Sequence, residues 1–403
     1  MMKKAIQQFA EEHLHEDTSK LLLSASRYPD IDIAAAVQQI EGKRAAKEKW
    51  PTLFSTAGYE YPPRINREQS SSEATARHKI AIASSLTKER QTMHIADLTG
   101  GMGVDSIAFA HMNGCNDCKV HYIERDSELC ALMERNTETM GIKNIVVHNE
   151  DCIHWLKKSA TTFDIIFIDP ARRDNHGRKV SAFENCAPNI IENLSTIRQS
   201  SVWTMIKASP MIDLTMAETQ LQSVVQTHIV AVHGECKEVL FICGEKKTET
   251  EIYCTDISNT TNTLRFTRSQ ETDSQAIYCN GTMGKYLYEP NAAIMKGSPY
   301  KTLSEIHHIA ILDRNTHLYT SDQYIPEFPG RIFEIEKAIS LNKRSINHEI
   351  PNKKAHVISR NHPMTPEEIR RQTGVKEGGD KFIIATTVNR TCQTFLCNRI
   401  ESR

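Results

Sequence analysis

Short apolar runs alternate with amphipathic stretches through the middle of the chain, between residues 94 and 244. Within each run the apolar residues are nearly continuous, which is typical of strands covered on both faces of a parallel sheet. The amphipathic stretches between them have helical periodicity. This alternation predicts a doubly wound α/β domain. Its five parallel strands are predicted at 94–98, 119–124, 144–148, 163–169 and 201–208.

The end of this region breaks the alternation. Residues 228–233 and 239–244 are both apolar, and only residues 234–238 separate them. A connection that short permits only an antiparallel pair of strands. Five parallel strands that end in an antiparallel hairpin resemble the Rossmann-like, seven-stranded sheet of class I methyltransferases.

The two flanking regions have different patterns. Residues 1–90 form an N-terminal helical region, in which 53–67 is predicted to be a loop. After the α/β domain, which we place at 91–275, short strands mix with a few helices. The expected third domain is therefore a C-terminal α+β region at 276–403. Within it, 356–387 predicts a strand, a helix that begins at Thr365-Pro366, and a second strand.

Composition narrows the protein class. The chain has 403 residues, of which 39% are hydrophobic and 25% charged, as in soluble globular proteins. No apolar run approaches the roughly 20 residues that span a bilayer. The N-terminus lacks the apolar core of a secretion signal, and 11 scattered cysteines indicate reduced thiols. We therefore expect a cytoplasmic protein.

Charge is nearly balanced, with a formal net charge of −1, so nucleic-acid contact would need a local basic patch. Residues 343–403 carry 12 Lys and Arg against 6 Asp and Glu, a difference of +6. Arg360, Arg370, Arg371 and Lys376 lie on or beside one predicted strand–helix unit of this segment. A solvated basic surface and an RNA-binding surface explain this excess equally well.

A glycine-rich loop follows the first predicted strand. Asp97 ends that strand, 99–103 contains three glycines, and a helix begins near Gly103. Glycines let a backbone turn tightly against a ligand, and the N–H groups at a helix start then face it. The spacing differs from the G-x-G-x-x-G fingerprint of nicotinamide-binding folds. Asp97 and Asp105 would repel a pyrophosphate but suit the ammonium group of S-adenosylmethionine, although a simple strand-to-helix turn is the alternative.

Two further acidic positions follow the second and third predicted strands. Glu124 lies about 20 residues after the glycine loop, where such folds place a carboxylate on ribose hydroxyls. Asp151 opens the next helix, where an acid of a class I enzyme accepts the adenine amino group and the next N–H, here of Cys152, reaches a ring nitrogen. An ordinary exposed glutamate and a helix cap are the alternatives.

The fourth predicted strand ends at Asp169-Pro170, at the edge where open α/β sheets bind ligands. Methyltransferases that act on nucleobase amines have Asp/Asn-Pro-Pro-aromatic here, and this chain keeps only the first two positions. Arg172 replaces the aromatic residue. Its guanidinium can stack on a base or bind a phosphate, and Arg173 can also bind a phosphate. The alternative is that both arginines pair with nearby carboxylates.

No motif indicates a metal site. Cys115 and Cys118 form a CxxC pair, but no second pair or histidine set at ligand spacing accompanies it.

The chain resembles bacterial class I methyltransferases that have a THUMP-like C-terminal domain and whose catalytic half is related to the cap-guanine N2 methyltransferases. The matching positions are Ser72 to Ala76 with Arg77, 97–105, Glu124, Asp151, 169–173, Tyr288-Glu289-Pro290 with Ala292-Ala293-Ile294, and 356–387. The resemblance implies S-adenosyl-L-methionine as the cofactor. It covers most of the chain but carries over no defined substrate.

The leading hypothesis is an S-adenosylmethionine-dependent methyltransferase that modifies a nucleobase nitrogen in RNA, with guanine as the first choice. Asp169, Pro170 and Arg172 would form the catalytic edge, and Arg172 and Arg173 would contact the substrate. An RNA-binding protein with a vestigial methyltransferase domain and a methyltransferase with a non-RNA substrate are the alternatives. The residues expected to bind the cofactor are Asp97, Thr99, Gly100, Gly101, Gly103, Asp105, Glu124, Asp151 and Cys152.

Overall fold

A computed structural model of the protein describes residues 2–88, 90, 92–112, 117–171, 183–245, 248–258 and 263–400. The chain divides into two compact units. The first contains Met1–Val225 and Leu240–Thr248, and the second contains Gln226–Val239 and Glu249–Arg403. The domain boundaries expected near residues 90 and 275 stay predictions.

Six helices begin the first unit. Asp17, Asp32 and Ser72 cap three of them, because each side-chain oxygen accepts a backbone N–H at the helix start. The predicted loop at 53–67 is wrong in part: Pro51 starts a short helix that extends to Ser55, and another begins at Arg64. The helices are α1 Met2–Glu12, α2 Thr18–Leu23, α3 Ile33–Lys49, α4 Pro51–Ser55, α5 Arg64–Gln69 and α6 Glu73–Leu86.

Five parallel strands of the first unit are neighbours in one sheet, in the order β3-β2-β1-β4-β5. All six residues of β4 are buried, as expected for a strand between two others with both faces covered. The strands are β1 Thr92–Asp97, β2 Asp117–Glu124, β3 Ile145–Asn149, β4 Phe163–Ile168 and β5 Ser201–Ala208. The helices are α7 Val104–Ala110, α8 Ser127–Met140, α9 Cys152–Lys158, α10 Ile190–Gln199 and α11 Leu214–Leu221.

The alternation of strands and helices confirms the predicted α/β fold of a class I methyltransferase. Because the strands are parallel, their carboxyl ends meet at one edge of the sheet, and the strand order reverses between β1 and β4. Ligands of open α/β sheets bind at such an edge. Asp97, Glu124 and Asp169 are at or directly after the ends of β1, β2 and β4.

The predicted hairpin is present as β6 Val224–Val232 and β7 Glu235–Cys243, which are neighbours in the strand order. The connection is shorter than expected, because residues 235–238 already belong to β7. His233 and Gly234 alone make the turn, and both have positive φ, as two-residue turns of this kind require. Within the second unit, β6 pairs in parallel with β8 Glu251–Asp256, which pairs antiparallel with β9 Thr263–Phe266.

The rest of the second unit is built on an eight-stranded mixed sheet, ordered β10-β12-β13-β11-β14-β17-β16-β15. The predicted strand–helix–strand unit at 356–387 is confirmed, and Thr365 and Glu368 form a capping box at its helix. The strands are β10 Ile277–Tyr278, β11 Tyr286–Pro290, β12 Ala310–Asp313, β13 Thr316–Ser321, β14 Gly330–Ala338, β15 His356–Arg360, β16 Lys381–Val388 and β17 Thr391–Ile400. The helices are α12 Arg268–Asp273, α13 Ala292–Gly297, α14 Tyr300–His307, α15 Lys343–Glu349 and α16 Pro366–Thr373.

Across the described part of the chain, every helix is too short or too polar to cross a membrane.

Three histidines stack on adjacent strands of the first sheet. The ring centroids of His94 and His121 are 6.1 Å apart, and those of His121 and His148 are 5.2 Å apart. Trp155 and Phe163 pack against His121. Burial, reinforced by the charge of a protonated His148, lowers the pKa of His121 to about 4, and burial also lowers the pKa of His148. Burial therefore favours the neutral imidazoles of His121 and His148.

Acid should destabilise this cluster. Because the unfolded chain binds a proton at each histidine near pH 6.5 and the folded His121 does not, stability should be full above that pH. It should fall between pH 6.5 and 4, by at most about 1.4 kcal/mol per pH unit for one group. In urea unfolding, His121→Gln should reduce this slope, whereas His15→Gln, at an exposed histidine, should leave it unchanged. Equal slopes in the wild type and His121→Gln would contradict this assignment.

Candidate functional site

The glycine loop is shaped by a tyrosine that the sequence pattern did not single out. The Tyr122 hydroxyl, on the neighbouring strand β2, donates a hydrogen bond to the Gly101 carbonyl at 2.7 Å. A Cβ atom on Gly100 would lie 2.3 Å from the Tyr122 ring. Gly103 has a φ of +82°, and a Cβ atom added to it would lie 2.5 Å from the Met133 sulfur. Gly100 and Gly103 are therefore required by packing, before any ligand binds.

Asp97 supports this loop from below. Its side chain is buried, accepts a hydrogen bond from the Ser106 hydroxyl at 2.6 Å and another from the Thr99 N–H at 3.1 Å. Burial raises the pKa of Asp97 to about 7, against the opposing effect of the Ser106 hydrogen bond. Asp97 does not line the cavity described next, so its visible contacts are with the protein itself.

A cavity of about 1080 Å³ opens at the carboxyl edge of the first sheet. It is larger than the 300 to about 1,000 Å³ typical of pockets for one small ligand. Most residues that the sequence pattern proposed lie together on its wall, whereas Arg172 and Arg173 are outside the described residues. The proposed residues on the wall are Thr99, Gly100, Gly101, Gly103, Asp105, Glu124, Asp151, Cys152, Asp169 and Pro170.

Glu124 is fixed at the end of β2 by three backbone donors. One carboxylate oxygen accepts the Gly101 N–H at 3.0 Å, and the other accepts the N–H groups of Arg125 and Asp126 at 2.8 and 3.0 Å. Each carboxylate oxygen offers about two lone-pair sites. The oxygen that binds Gly101 therefore keeps capacity for a ligand hydroxyl.

Asp151 caps helix α9, which was the alternative to a ligand-binding role. Its Oδ1 accepts the N–H groups of Ile153 and His154 at 3.1 and 3.0 Å. The cap fixes the carboxylate at the cavity wall, beside the buried Cys152. Burial raises the pKa of the Cys152 thiol to about 12, so this sulfur is a neutral wall group rather than a nucleophile.

Asp169 directly follows the last residue of β4, the strand that pairs with β1. Its backbone N–H donates to the Thr99 hydroxyl at 2.7 Å, which ties the end of β4 to the glycine loop. Its Oδ2 atom accepts a hydrogen bond from the Lys207 ammonium at 2.5 Å. Lys207 is the penultimate residue of β5 and the one charged residue in that strand, and this isolated charge is the signal from which the sequence could have identified it.

The N-terminal helical region supplies a wall of the cavity, which the sequence did not predict. Ser71, just before α6, donates its hydroxyl to Asp105 Oδ2 at 2.7 Å. The Lys79 ammonium on α6 is fully buried and lies 2.9 Å from the Ser71 hydroxyl and 3.0 Å from Asp105 Oδ1. A lysine on the apolar face of a helix was the available clue. Other wall residues from this region are Ile65, Asn66, Glu68, Gln69 and Ser70.

The charge of the wall indicates the kind of ligand that fits. Among the described lining residues, seven are acidic and only Arg125 is basic. Four of these acids pair with cations outside the lining, which leaves three acids beside Arg125. This smaller excess still favours a cation over a pyrophosphate. S-adenosylmethionine carries a sulfonium and an ammonium, so the donor set fits it better than a nicotinamide dinucleotide. The acidic residues are Glu68, Asp105, Glu124, Asp126, Glu150, Asp151 and Asp169.

Comparison with known proteins identifies the parts of the chain. Residues 23–174 match a family model described as protein-L-isoaspartate(D-aspartate) O-methyltransferase. Residues 286–329 match one described as a ferredoxin-like domain, and 330–399 match one described as THUMP domain-like. No curated protein sequence matched the chain.

Among solved structures, a candidate methyltransferase from Porphyromonas gingivalis W83 is 28% identical, with a TM-score of 0.84 and 98% of each chain covered. A type I restriction-modification methyltransferase subunit from Streptococcus thermophilus is 16% identical, covers 56% of both chains and has a TM-score of 0.37. A candidate class I S-adenosylmethionine-dependent methyltransferase from Listeria monocytogenes is 10% identical, covers 63% of this chain and 94% of its own, and has a TM-score of 0.40. Only the first score is high enough to support an argument. The chain therefore contains a methyltransferase-like domain of class I fold and a THUMP-like domain.

Replacing Gly100 tests the packing of the loop. Gly100→Ala should destabilise the first unit by about 1–3 kcal/mol or more, because the added methyl group overlaps the buried Tyr122 ring. Gly141→Ala is the matched control: Gly141 has a φ of +69° but open space around it, so only backbone strain of about 1–2 kcal/mol applies. Urea unfolding should rank Gly100→Ala as the more damaging change, and replacing Tyr122 by Leu should relieve part of that loss. If Tyr122→Leu relieves none of it, the proposed clash is not the cause.

Proposed function

We propose that the protein transfers a methyl group from S-adenosylmethionine to an amine nitrogen of a nucleobase in RNA, with guanine as the first candidate. The observation that carries this proposal is the cavity at the carboxyl edge of the sheet, where Glu124, Asp126 and Asp151 outnumber Arg125 once the acids paired with cations outside the lining are set aside. A cationic cofactor suits that wall.

Glu124, Asp151 and the backbone of the glycine loop would hold the cofactor. Glu124 lies at a strand end where a carboxylate can accept hydrogen bonds from ribose hydroxyls. Both cap hydrogen bonds of Asp151 use its Oδ1 atom, so its Oδ2 atom is the one to accept a hydrogen bond from the cofactor. Asp105 and the backbone of the glycine loop form another part of the same wall. The cofactor supplies an activated methyl carbon, whose bond to sulfur breaks as a bond to the attacking nitrogen forms, with the electron pair left on sulfur.

Asp169 would orient the substrate. An amine that donates an N–H to its carboxylate points the nitrogen lone pair away from that hydrogen bond and towards the cofactor. Alignment of the reacting atoms is the main contribution required of the protein, since no covalent intermediate is needed. The nitrogen loses its proton after methylation, and that proton leaves to solvent or to the carboxylate.

The THUMP-like domain supports RNA as the substrate class, and its charges suggest where contact occurs. Two of the basic residues singled out from the sequence are tied to acids: Arg360 pairs with the buried Glu289, and Arg370 with Glu377. Arg371 and Lys376 are exposed. Lys376 forms a β-bridge with Lys354, next to Lys353, and all three of these lysines are exposed. We call Lys353, Lys354 and Lys376 the lysine patch.

Ligand binding and methyl transfer together test the function. S-adenosylhomocysteine should bind in calorimetry and NAD should not, and Glu124→Ala should weaken binding by about 1.5–3 kcal/mol, the cost of one charged hydrogen bond. Asp169→Ala should keep that affinity but lose transfer of a radiolabelled methyl group to total RNA, because its proposed partner is the substrate.

Three outcomes of this experiment would count against the proposal. Near wild-type transfer by Asp169→Ala would show that Asp169 does not orient the substrate. Label in the protein fraction instead of RNA would favour a protein substrate, as the description of the family matched by residues 23–174 suggests. Cofactor binding without transfer to any fraction would favour a vestigial methyltransferase domain.

Reversing the charge of the lysine patch tests RNA binding. Truncation near residue 340 is a poor test, because β14 pairs with β17 and the cut would remove that partner strand. Lys353→Glu/Lys354→Glu/Lys376→Glu should weaken RNA binding, and the slope of log affinity against log salt should fall by about 2–3 if each lysine contacts a phosphate. The control changes exposed Lys20, Lys47 and Lys88 to Glu, which alters the net charge equally. Equal losses in the two triple variants would refute a specific role for the patch.

A further inference from the structure

Lys207 and Asp169 lie side by side because of the strand register. Ile168 of β4 pairs with Ile206 of β5 in a parallel ladder, so the next residues along each chain, Asp169 and Lys207, are neighbours at the carboxyl edge. The Lys207 ammonium lies 2.5 Å from Asp169 Oδ2, and both side chains are mostly shielded from solvent, at 12% and 28% exposure. The contact is therefore set by the sheet rather than by a mobile surface chain.

The pair continues into a buried chain of charges. The Lys207 ammonium is 3.5 Å from the Ser71 hydroxyl, which donates to Asp105 and accepts from Lys79. Lys79 also contacts Asp105. Two ammonium groups thus balance two carboxylates around one hydroxyl, which connects the start of helix α6 to the end of β5.

This arrangement fixes which atom of Asp169 faces the cavity. Lys207 occupies Oδ2, and among the described residues no group binds Oδ1, while Asp169 lines the cavity. Asp97 interacts electrostatically with both Asp169 and Asp105, so Asp169 also has acidic neighbours. Without Lys207, no cation among the described residues would contact the Asp169 carboxylate, and its rotamer would lose this ion pair.

We propose that Lys207 is a positioning residue for methyl transfer: it holds the Asp169 carboxylate in one orientation, with Ser71 and the Lys79–Asp105 pair fixing Lys207 in turn. This inference rests on the proposed function and deepens it. Because the ammonium already neutralises Asp169, the acceptor site suits an uncharged amine, such as the exocyclic amine of a nucleobase, rather than a protonated one. Lys207 itself touches Asp169 and not the reacting atoms.

The test compares four variants of the full chain. Lys207→Met removes the charge at similar length, Lys207→Arg keeps it, and Asp169→Asn and the Lys207→Met/Asp169→Asn double variant complete a cycle. Lys157→Met, at an exposed lysine of α9, is the control. S-adenosylhomocysteine affinity is measured by calorimetry, and the rate of radiolabelled methyl transfer is measured over a range of total RNA concentrations.

Lys207→Met should lower kcat by about 100-fold and leave S-adenosylhomocysteine affinity within about two-fold, as expected when an interaction needed only during reaction is lost. Lys207→Arg should recover at least about a tenth of the wild-type rate, because it keeps the cation. The double variant should be no slower than the slower single variant, since the two groups act as a unit. Loss of cofactor affinity with an unchanged kcat, or multiplicative losses in the double variant, would overturn the proposal.

Failure of the proposed function gives a different result. A wild-type chain that transfers no methyl group to any fraction overturns that function, and thermal unfolding of the same cycle then decides whether the pair exists. If the pair exists, the losses in melting temperature of Lys207→Met and Asp169→Asn, added together, should exceed the loss of the double variant by about 2–4 °C. Additive losses would show that Lys207 and Asp169 are not coupled, and the inference would fall.

Discussion

Repulsion between carboxylates at one edge of a parallel sheet is the constraint on which this site depends. Asp97 ends β1, Asp105 lies in the first turn of α7 and Asp169 follows β4, and the three converge at that edge. The protein offsets the repulsion in two ways. Lys79 lies within ion-pair distance of Asp105 and Lys207 within that distance of Asp169, and burial raises the pKa of Asp97 to about 7. The resulting wall is acidic towards the cavity yet supported by cations behind it.

The glycine loop depends on the same edge. Tyr122 fills the space where a side chain on Gly100 would be, and its hydroxyl holds the Gly101 carbonyl. Thr99, at the start of the loop, accepts the backbone N–H of Asp169. The loop and the end of β4 are thus joined by a hydrogen bond that uses no ligand. Residues that look like ligand contacts in the sequence can therefore be needed first to keep the loop in shape.

The sequence was a good guide wherever local pattern decides structure. The five parallel strands, the hairpin and the capped helix at Thr365 follow from periodicity and capping, which depend on neighbouring residues alone. The wall positions Glu124, Asp151 and Asp169 follow from the rule that parallel strands share a carboxyl edge. The short turn at His233 and Gly234 was missed, because polar residues of β7 look like loop in sequence.

Contacts between distant segments could not be read in this way. Ser71 and Lys79 precede the sheet, and nothing in a single sequence shows that α6 would place them against Asp105. Charged residues in apolar stretches were the available signal: Lys79 interrupts the apolar face of α6, and Lys207 is the one charged residue of β5. Burying an ammonium is costly unless it is paired, so such a residue indicates a buried carboxylate even before the partner is known.

That reasoning changes how the N-terminal helices are understood. Read along the chain, they precede a complete α/β domain and have no evident part in it. In the structure, Ser71 joins both buried pairs, and residues of α5 line the cavity wall. Removing these helices would take Lys79 away from Asp105. It would also remove the Ser71 hydroxyl that lies beside Lys207, the partner of Asp169. The helical region is therefore part of the site, and the electrostatic balance at the sheet edge requires it.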